Sequence, residues 1–304
     1  DPRTYTDEAD AAEARSHSDA AIDALAGWWA ARLAAWAEAG LGGFRFLDLR
    51  RLPPRLVQAI ADALRNRMAD CLLLGWTPGI AQPDLPRWAG AGLDYVFSSL
   101  PWWDFRSDWL WREAGRLRRV APTLASPESP FGTRLAATCR NPWLLEPTYR
   151  RALGIAAAIE SGWLMPMGFE YATVRAMDAA RDRPEDFARM AAEAPLDLSE
   201  EIASANAMRA GEPALATSAE PRFLSGPGAP ILAVLRPDGL DARAARRAAL
   251  ILANTDLARR REVPTAALEA NAGGSFVPIV PGSGLRLAPG EVVLLAADAA
   301  PPIR

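Results

Sequence analysis

The 304-residue sequence contains no lysine, one histidine and two cysteines, and each shortage removes a class of chemistry. Without lysine there is no P-loop side chain to reach a nucleotide phosphate, no Schiff base with pyridoxal or a carbonyl substrate, and no amine nucleophile. With His17 as the sole imidazole, a histidine-rich zinc or iron centre is excluded, and a Ser-His-Asp triad would have to use that one residue. His17 stands between Ser16 and Ser18 and ahead of Asp19, the setting of an exposed helix start. Cys71 and Cys139 are too few for a disulfide framework or a four-thiolate site, so no metal or other cofactor is expected, and a reducing, cytoplasmic compartment is. The richest apolar stretch, 152–174, is interrupted by Glu160, Pro166 and Glu170, which leaves no membrane-spanning segment in the reading.

All 34 positive charges are therefore arginine, set against 37 acidic residues for a net charge of -3. No overall positive field exists to hold nucleic acid or an anionic membrane. Half of the residues are hydrophobic, enough for a substantial core. The sequence opens at Asp1 with neither methionine nor secretory signal, which suits an internal segment of a longer protein or a processed one.

Apolar periodicity predicts helix over 18–39, where Leu25, Trp29, Leu33 and Trp36 share a face and glycines at 40, 42 and 43 end the pattern. A strand at 44–49 then feeds a helix opened by Pro53-Pro54, with Leu56, Ile60 and Leu64 on one face. The alternation continues with strands at 71–75, 93–100, 120–125 and 162–169 and helices at 85–91, 107–119 and 142–161. Continuous apolar strands alternating with amphipathic helices mean a parallel sheet with covered faces. Segments 184–192 and 197–208 read as surface helices. Beyond 211–219 the texture changes to short strands at 231–235, 248–253, 275–280 and 292–296, separated by Gly, Pro, Asp and Asn clusters, the pattern of a small antiparallel β domain.

Gly43-Phe44-Arg45, between a helix and a strand that leads into a Pro-Pro helix, resembles the fourth barrel strand of the alpha-amylase family, glycoside hydrolase family 13, whose motif is G-F-R-x-D. The run from Leu287 through Ala288, Pro289, Gly290 and Glu291 to Val292 is similar to the last strand pair of that family's C-terminal domain, and Ala253-Asn254 to an earlier strand end. Met165-Pro166-Met167-Gly168-Phe169-Glu170-Tyr171 resembles the eighth-strand region of the branch that includes the alpha-1,4-glucan:maltose-1-phosphate maltosyltransferases. The resemblance implies an α/β fold: residues 1–213 a partial (β/α)8 TIM barrel of about strands 4 to 8, and 214–304 an all-β C-terminal sandwich. Five strands cannot close an eight-stranded barrel, so the chain is expected to be a fragment whose partner is the remaining N-terminal part of the parent protein.

Retaining enzymes of this type need a nucleophilic carboxylate and a carboxylic acid about 5–5.5 Å apart. At the fourth strand this sequence reads Arg45-Phe46-Leu47-Asp48, with leucine where the nucleophile belongs and Asp48 one place later. Because strand side chains alternate, Asp48 is expected to face away from the side that carries Arg45. At the fifth strand Trp76 stands in place of the acid, and after the seventh Ser126-Pro127-Glu128-Ser129-Pro130 replaces the family's N-H-D. The segment is thus expected to be catalytically degenerate and to bind or present α-glucan or maltooligosaccharide, or to scaffold a catalytic domain. The substrate-binding candidates are Arg45, Trp76, Trp102, Trp103, Asp104 and Glu170, since indole faces stack on sugar rings and charged neighbours bond hydroxyls. Arg45, pointing into the barrel, would pair with Asp104, Glu128 or Glu170. Two alternatives stand beside this: an active retaining glycosidase or transglycosylase using Asp48 and Glu128, and a structural module with no ligand, in which Trp76, Trp102 and Trp103 are buried in packing. Trp28, Trp29, Trp36 and Trp163 read as core, and the arginine clusters at 150–151, 246–247 and 259–261 as solvated surface.

Overall fold

The computed structural model describes residues 19–176, 178, 181–239, 247–272, 276–278 and 284–299, so His17 and part of the 275–280 strand lie outside them. The chain divides into two compact units, one formed by residues 1–99 with 109–124 and the other by 100–108 with 125–304.

The first unit begins with α1 (Asp19–Glu38), an alanine-rich helix that buries Ile22, Ala26, Ala30, Leu33, Ala34 and Ala37. Its partner α2 (Pro54–Arg65) starts on Pro54, whose missing N–H costs nothing in the first turn, and buries Leu56, Val57, Ile60, Ala61 and Leu64. Four parallel strands accompany them: β1 (Gly43–Phe46), β2 (Leu72–Gly75), β3 (Tyr95–Phe97) and β4 (Thr123–Ala125). The register sets Gly43 opposite Leu72 and Phe46 opposite Gly75. Gly43 is required there, because a Cβ would sit 2.5 Å from the Leu72 carbonyl oxygen. Asp94 fastens the next crossover, accepting from the Leu73 N–H at 2.7 Å and from Arg65 at 2.8 Å. α3 (Trp109–Leu117) turns Leu110, Ala114 and Leu117 inward and sends Glu113 back to the Ser99 N–H and hydroxyl at 2.9 and 2.6 Å.

The second unit carries the end of β4, β5 (Gly162–Trp163) and α4 (Leu145–Ile159); the Leu164 N–H donates to Ala125 O at 2.8 Å, and the sheet order is β1-β2-β3-β4-β5. The parallel sheet read from the alternation is present. β5 is far shorter than the expected 162–169: Pro166 has no N–H to give a ladder, and Gly168 at φ 89° bends the chain into a 3-10 turn, Phe169–Tyr171. Glu170 thus sits on that turn and not at a strand end. Helices α5 (Pro184–Ala192) and α6 (Ser199–Gly211) follow.

Beyond residue 221 the strands are β6 (Arg222–Phe223), β7 (Ile231–Pro237), β8 (Arg247–Asn254), β9 (Arg261–Glu262), β10 (Phe276–Pro278), β11 (Arg286–Leu287) and β12 (Val292–Ala299), with a short helix α7 (Thr265–Ala272) that the sequence reading passed over. They form an antiparallel sheet in the order β10-β12-β8-β7-β6 and a β11-β9 ribbon. Every residue of β7 is buried, as is β8 after Arg247, and the sequence is apolar throughout over 231–235 and 248–253. Arg236 of β7 is fully buried and donates to Ala158 O at 2.9 Å and Glu160 O at 2.7 Å; Arg209 adds Ser161 O at 2.6 Å. The end of α4 leaves orphan carbonyls, and a planar guanidinium reaches several at once where an ammonium is a single point. A lysine-free chain caps this helix with the residue it has.

Candidate functional site

Parallel strands deliver their functional side chains from the loops at their C-terminal ends, here the segments after β1, β2, β3, β4 and β5. After β1 the chain turns at once. Asp48 adopts a left-handed conformation (φ 50°, ψ 45°) at the start of the 3-10 turn Leu49–Arg51, and its carboxylate meets Arg50 Nε at 3.0 Å and Arg51 Nε at 2.9 Å. Leu47, where the family motif has its nucleophile, is half exposed. Arg45 lies with its guanidinium 5.9 Å from the Phe97 ring centroid, and partial burial lowers its pKa. Trp76 packs on the same ring at a centroid distance of 4.9 Å and is buried, its backbone N–H donating to Phe46 O at 2.9 Å. Arg45 and Trp76 are therefore brought together through Phe97. As a buried indole, Trp76 presents no open face to a sugar.

The loop after β3 separates two adjacent tryptophans. Trp102 is 53% exposed, whereas Trp103 is 4% exposed, stacks on Phe105 at 5.0 Å and donates through its indole N–H to Ser107 O at 2.7 Å. Asp104 closes the loop on itself: its carboxylate accepts from the Arg106 N–H at 3.0 Å, the Ser107 N–H at 2.8 Å and the Ser107 hydroxyl at 2.6 Å, bonds that hold its pKa down to about 2. Phe105, at φ 60°, takes the Arg151 guanidinium at 4.0 Å from its centroid; that guanidinium is desolvated, its pKa lowered to about 10, and it donates to Thr255 O at 2.8 Å. The left-handed Phe105 is thus held through its ring, against Trp103 and Arg151.

After β4, Glu128 is buried. Arg134 Nη2 stands 2.6 Å from its Oε1, and Oε2 accepts from the Leu135 N–H at 2.8 Å. Desolvation raises the Glu128 pKa against the pull of Arg134, with the Glu170 charge adding to the rise; burial and the Glu128 charge raise that of Tyr149. Arg134 itself is 1% exposed and donates to Met167 O at 3.2 Å, tying this loop to the one after β5. Glu170 accepts from the Gly168 N–H at 2.9 Å, within its own turn. Arg134 and Tyr149, which organise this cluster, escaped the sequence reading, because nothing in the spacing of Glu128 and Arg134 marks them as partners. Trp28 and Trp36, read as core, are instead 41% and 43% exposed, with the Arg32 guanidinium 5.7 Å from each ring. Among the described residues no group of three or more His, Cys, Asp or Glu gathers as a metal site, and no helix is long and apolar enough to cross a membrane.

No protein-family model matches the chain. Over 304 residues, 98% of this chain, it is 40% identical to an alpha-1,4-glucan:maltose-1-phosphate maltosyltransferase of Burkholderia pseudomallei. The chain is homologous to a part of that maltosyltransferase. It spans 27% of the length of that maltosyltransferase. Among solved structures, an Anoxybacillus alpha-amylase superimposes with a TM-score of 0.65 at 12% identity, covering all of this chain and 71% of its own. An acarbose complex of Geobacillus thermoleovorans alpha-amylase gives a TM-score of 0.60 at 14% identity, covering all of this chain and 72% of its own. These likenesses agree with the fold expected from the sequence, a run of parallel barrel strands with their helices and a C-terminal β domain.

Proposed function

We propose that this chain is the non-catalytic, α-glucan-binding part of a longer maltosyltransferase-like protein of the cytoplasm, comprising the later strands of a barrel to about residue 213 and a β-sandwich after it. The observation that carries the reading is the loop after β3: one indole is buried to anchor it and the next, Trp102, keeps about half of its surface, 53%, in solvent, on a turn pinned by Asp104 and Phe105. A fixed backbone beneath a half-exposed indole suits a sugar-stacking platform, since little conformational freedom is lost when the ring lands. Of the other binding candidates, Trp76, Trp103, Asp104 and Glu170 hold their own loops in shape.

Catalysis is left out for a chemical reason. A general acid must reach the glycosidic oxygen and a nucleophile the anomeric carbon. Glu128 is enclosed with Arg134, and Asp48 is turned into a surface loop with two arginines. The test is calorimetry of the full-length protein and its Trp102→Ala variant with maltoheptaose, with released reducing sugar followed in parallel. Binding that disappears in the variant is the expected result. Sugar release abolished by Asp48→Asn would replace this reading with the enzyme, and no binding by the wild type would leave the structural module.

A further inference from the structure

Trp28 and Trp36 read as core in the sequence yet stand open to solvent, and Leu41 and Leu47, on either side of β1, are about half exposed as well. Single exposed apolar residues are ordinary. These follow one another along α1 and β1, and the two elements border a cavity of about 470 Å³ whose walls include Leu33 and Trp36 of the helix and Phe44 and Phe46 of the strand. Trp36 and Phe44, with ring centroids 6.3 Å apart, join helix to strand there.

One side of α1, carrying Ile22, Ala26, Ala30, Leu33 and Ala37, is buried, and most of it shares a core with α2. Trp28 and Trp36, eight residues apart, lie on another side. β1 is the end strand of its sheet, with β2 its one neighbour among the described residues, and an end strand is a template for a further one. Parallel strands are joined by a crossover helix that packs on the sheet, and consecutive strands lie side by side. Since α1 runs into β1, the strand that leads into α1 belongs at the open edge of β1, beside the tryptophans. Residues 1–18 are poorly suited to supply it, for they contain no Val, Ile, Leu, Met, Phe or Trp. The maltosyltransferase relative has ample chain to do so, because this chain spans only 27% of it.

We propose that the face made by α1 and the free edge of β1 is a docking surface for a parallel strand from the segment of the parent protein that precedes residue 1, with Trp36 and Phe44 as its principal contacts. The proposal rests on the reading of the chain as part of a longer protein, and is independent of glucan binding. The tryptophans are open because what covers them lies outside these 304 residues.

The test uses the full-length protein, with alkylation by iodoacetamide followed at single sites by peptide mass spectrometry. The thiol of Trp36→Cys is expected to react at least about tenfold more slowly than that of Trp143→Cys, whose position is 87% exposed, and in the wild type all amides of residues 43–47 should exchange slowly with solvent deuterium. Equal alkylation rates, or fast exchange at alternate amides of β1, overturn the docking surface. Protection that vanishes on dilution, as a dimer gives way to monomer, also overturns it and assigns the face to a second copy. A natural protein with the intact mass of these 304 residues alone overturns both this proposal and the reading of the chain as a part, whereas failure to bind maltoheptaose removes the glucan reading and leaves the docking surface in place.

Discussion

The loops after β1 and after β4 each carry a carboxylate near a place where the family has a catalytic one, and they dispose of it in opposite ways. Asp48 is half exposed in a left-handed turn with two arginines beside it in sequence. Glu128 is taken out of water altogether and paired with Arg134, itself 1% exposed. The difference teaches that burial, more than charge, decides what a carboxylate is worth to the fold. At the surface Asp48 is nearly dispensable. In the interior, Glu128 has become part of the fold, because a buried pair broken on one side leaves an uncompensated charge. The largest effect expected is accordingly that of Arg134→Ala, a loss of about 3–5 kcal/mol in denaturant unfolding. Replacing both partners, as in Glu128→Leu with Arg134→Met, should recover most of that loss. A double variant as unstable as the single one would break the comparison.

A second contrast separates neighbours in sequence. Trp103 is enclosed against Phe105 while Trp102 is half exposed, so Trp103→Ala should cost about 3–4 kcal/mol and Trp102→Ala clearly less, about 1 kcal/mol. Thermal melts of the two variants decide it. Equal losses would mean that Trp102 is a packing residue, and the glucan platform would lose its support.

What the sequence disclosed and what it withheld follow from the range of the interactions. Helices α1, α2 and α5 and strands β7 and β8 were legible, because apolar period and proline or glycine boundaries act within a few residues. The sheet class was legible from alternation, and the family from Gly43-Phe44-Arg45 and the 165–171 segment. The placing of Asp48 was not: read as the next residue of an alternating strand, it lies beyond the end of β1 in a left-handed turn. The role of Glu128 was not: Arg134, Leu135 and Tyr149 approach it only through the folded loop after β4. Nor was the division between Trp102 and Trp103, since their exposure depends on Phe105 and Ser107 closing the turn. Trp28 and Trp36 were misread because α1 is apolar on more than one side, so periodicity alone did not say which side is covered.

Asp104 offers a smaller effect with a defined pH sign. Its pKa is lowered to about 2 by the Ser107 hydroxyl and N–H and by the Arg106 N–H. A depressed carboxylate stabilises the fold fully above its unfolded value, near 3.9, and that contribution fades as pH falls through about 2. The group is exposed, so solvent screening keeps the gain below about 1 kcal/mol. The stability difference between wild type and Asp104→Asn should therefore be present at neutral pH and close on acid titration. A difference that persists at pH 2 would place the effect elsewhere in the loop.

The smallest effect completes the comparison of the two carboxylates. Exposed ion pairs contribute little, so Asp48→Ala should change stability by less than about 0.5 kcal/mol. Asp48→Gly is the sharper variant. A left-handed backbone is costly for a residue with a Cβ and free for glycine, so the substitution loses two surface ion pairs and gains the relief of that strain. The expected outcome is a protein at least as stable as the wild type, with unchanged maltoheptaose binding and unchanged sugar release. A catalytic Asp48 would give the reverse pattern, stability preserved and turnover gone, because function would then be what holds an aspartate in a conformation that glycine fits better.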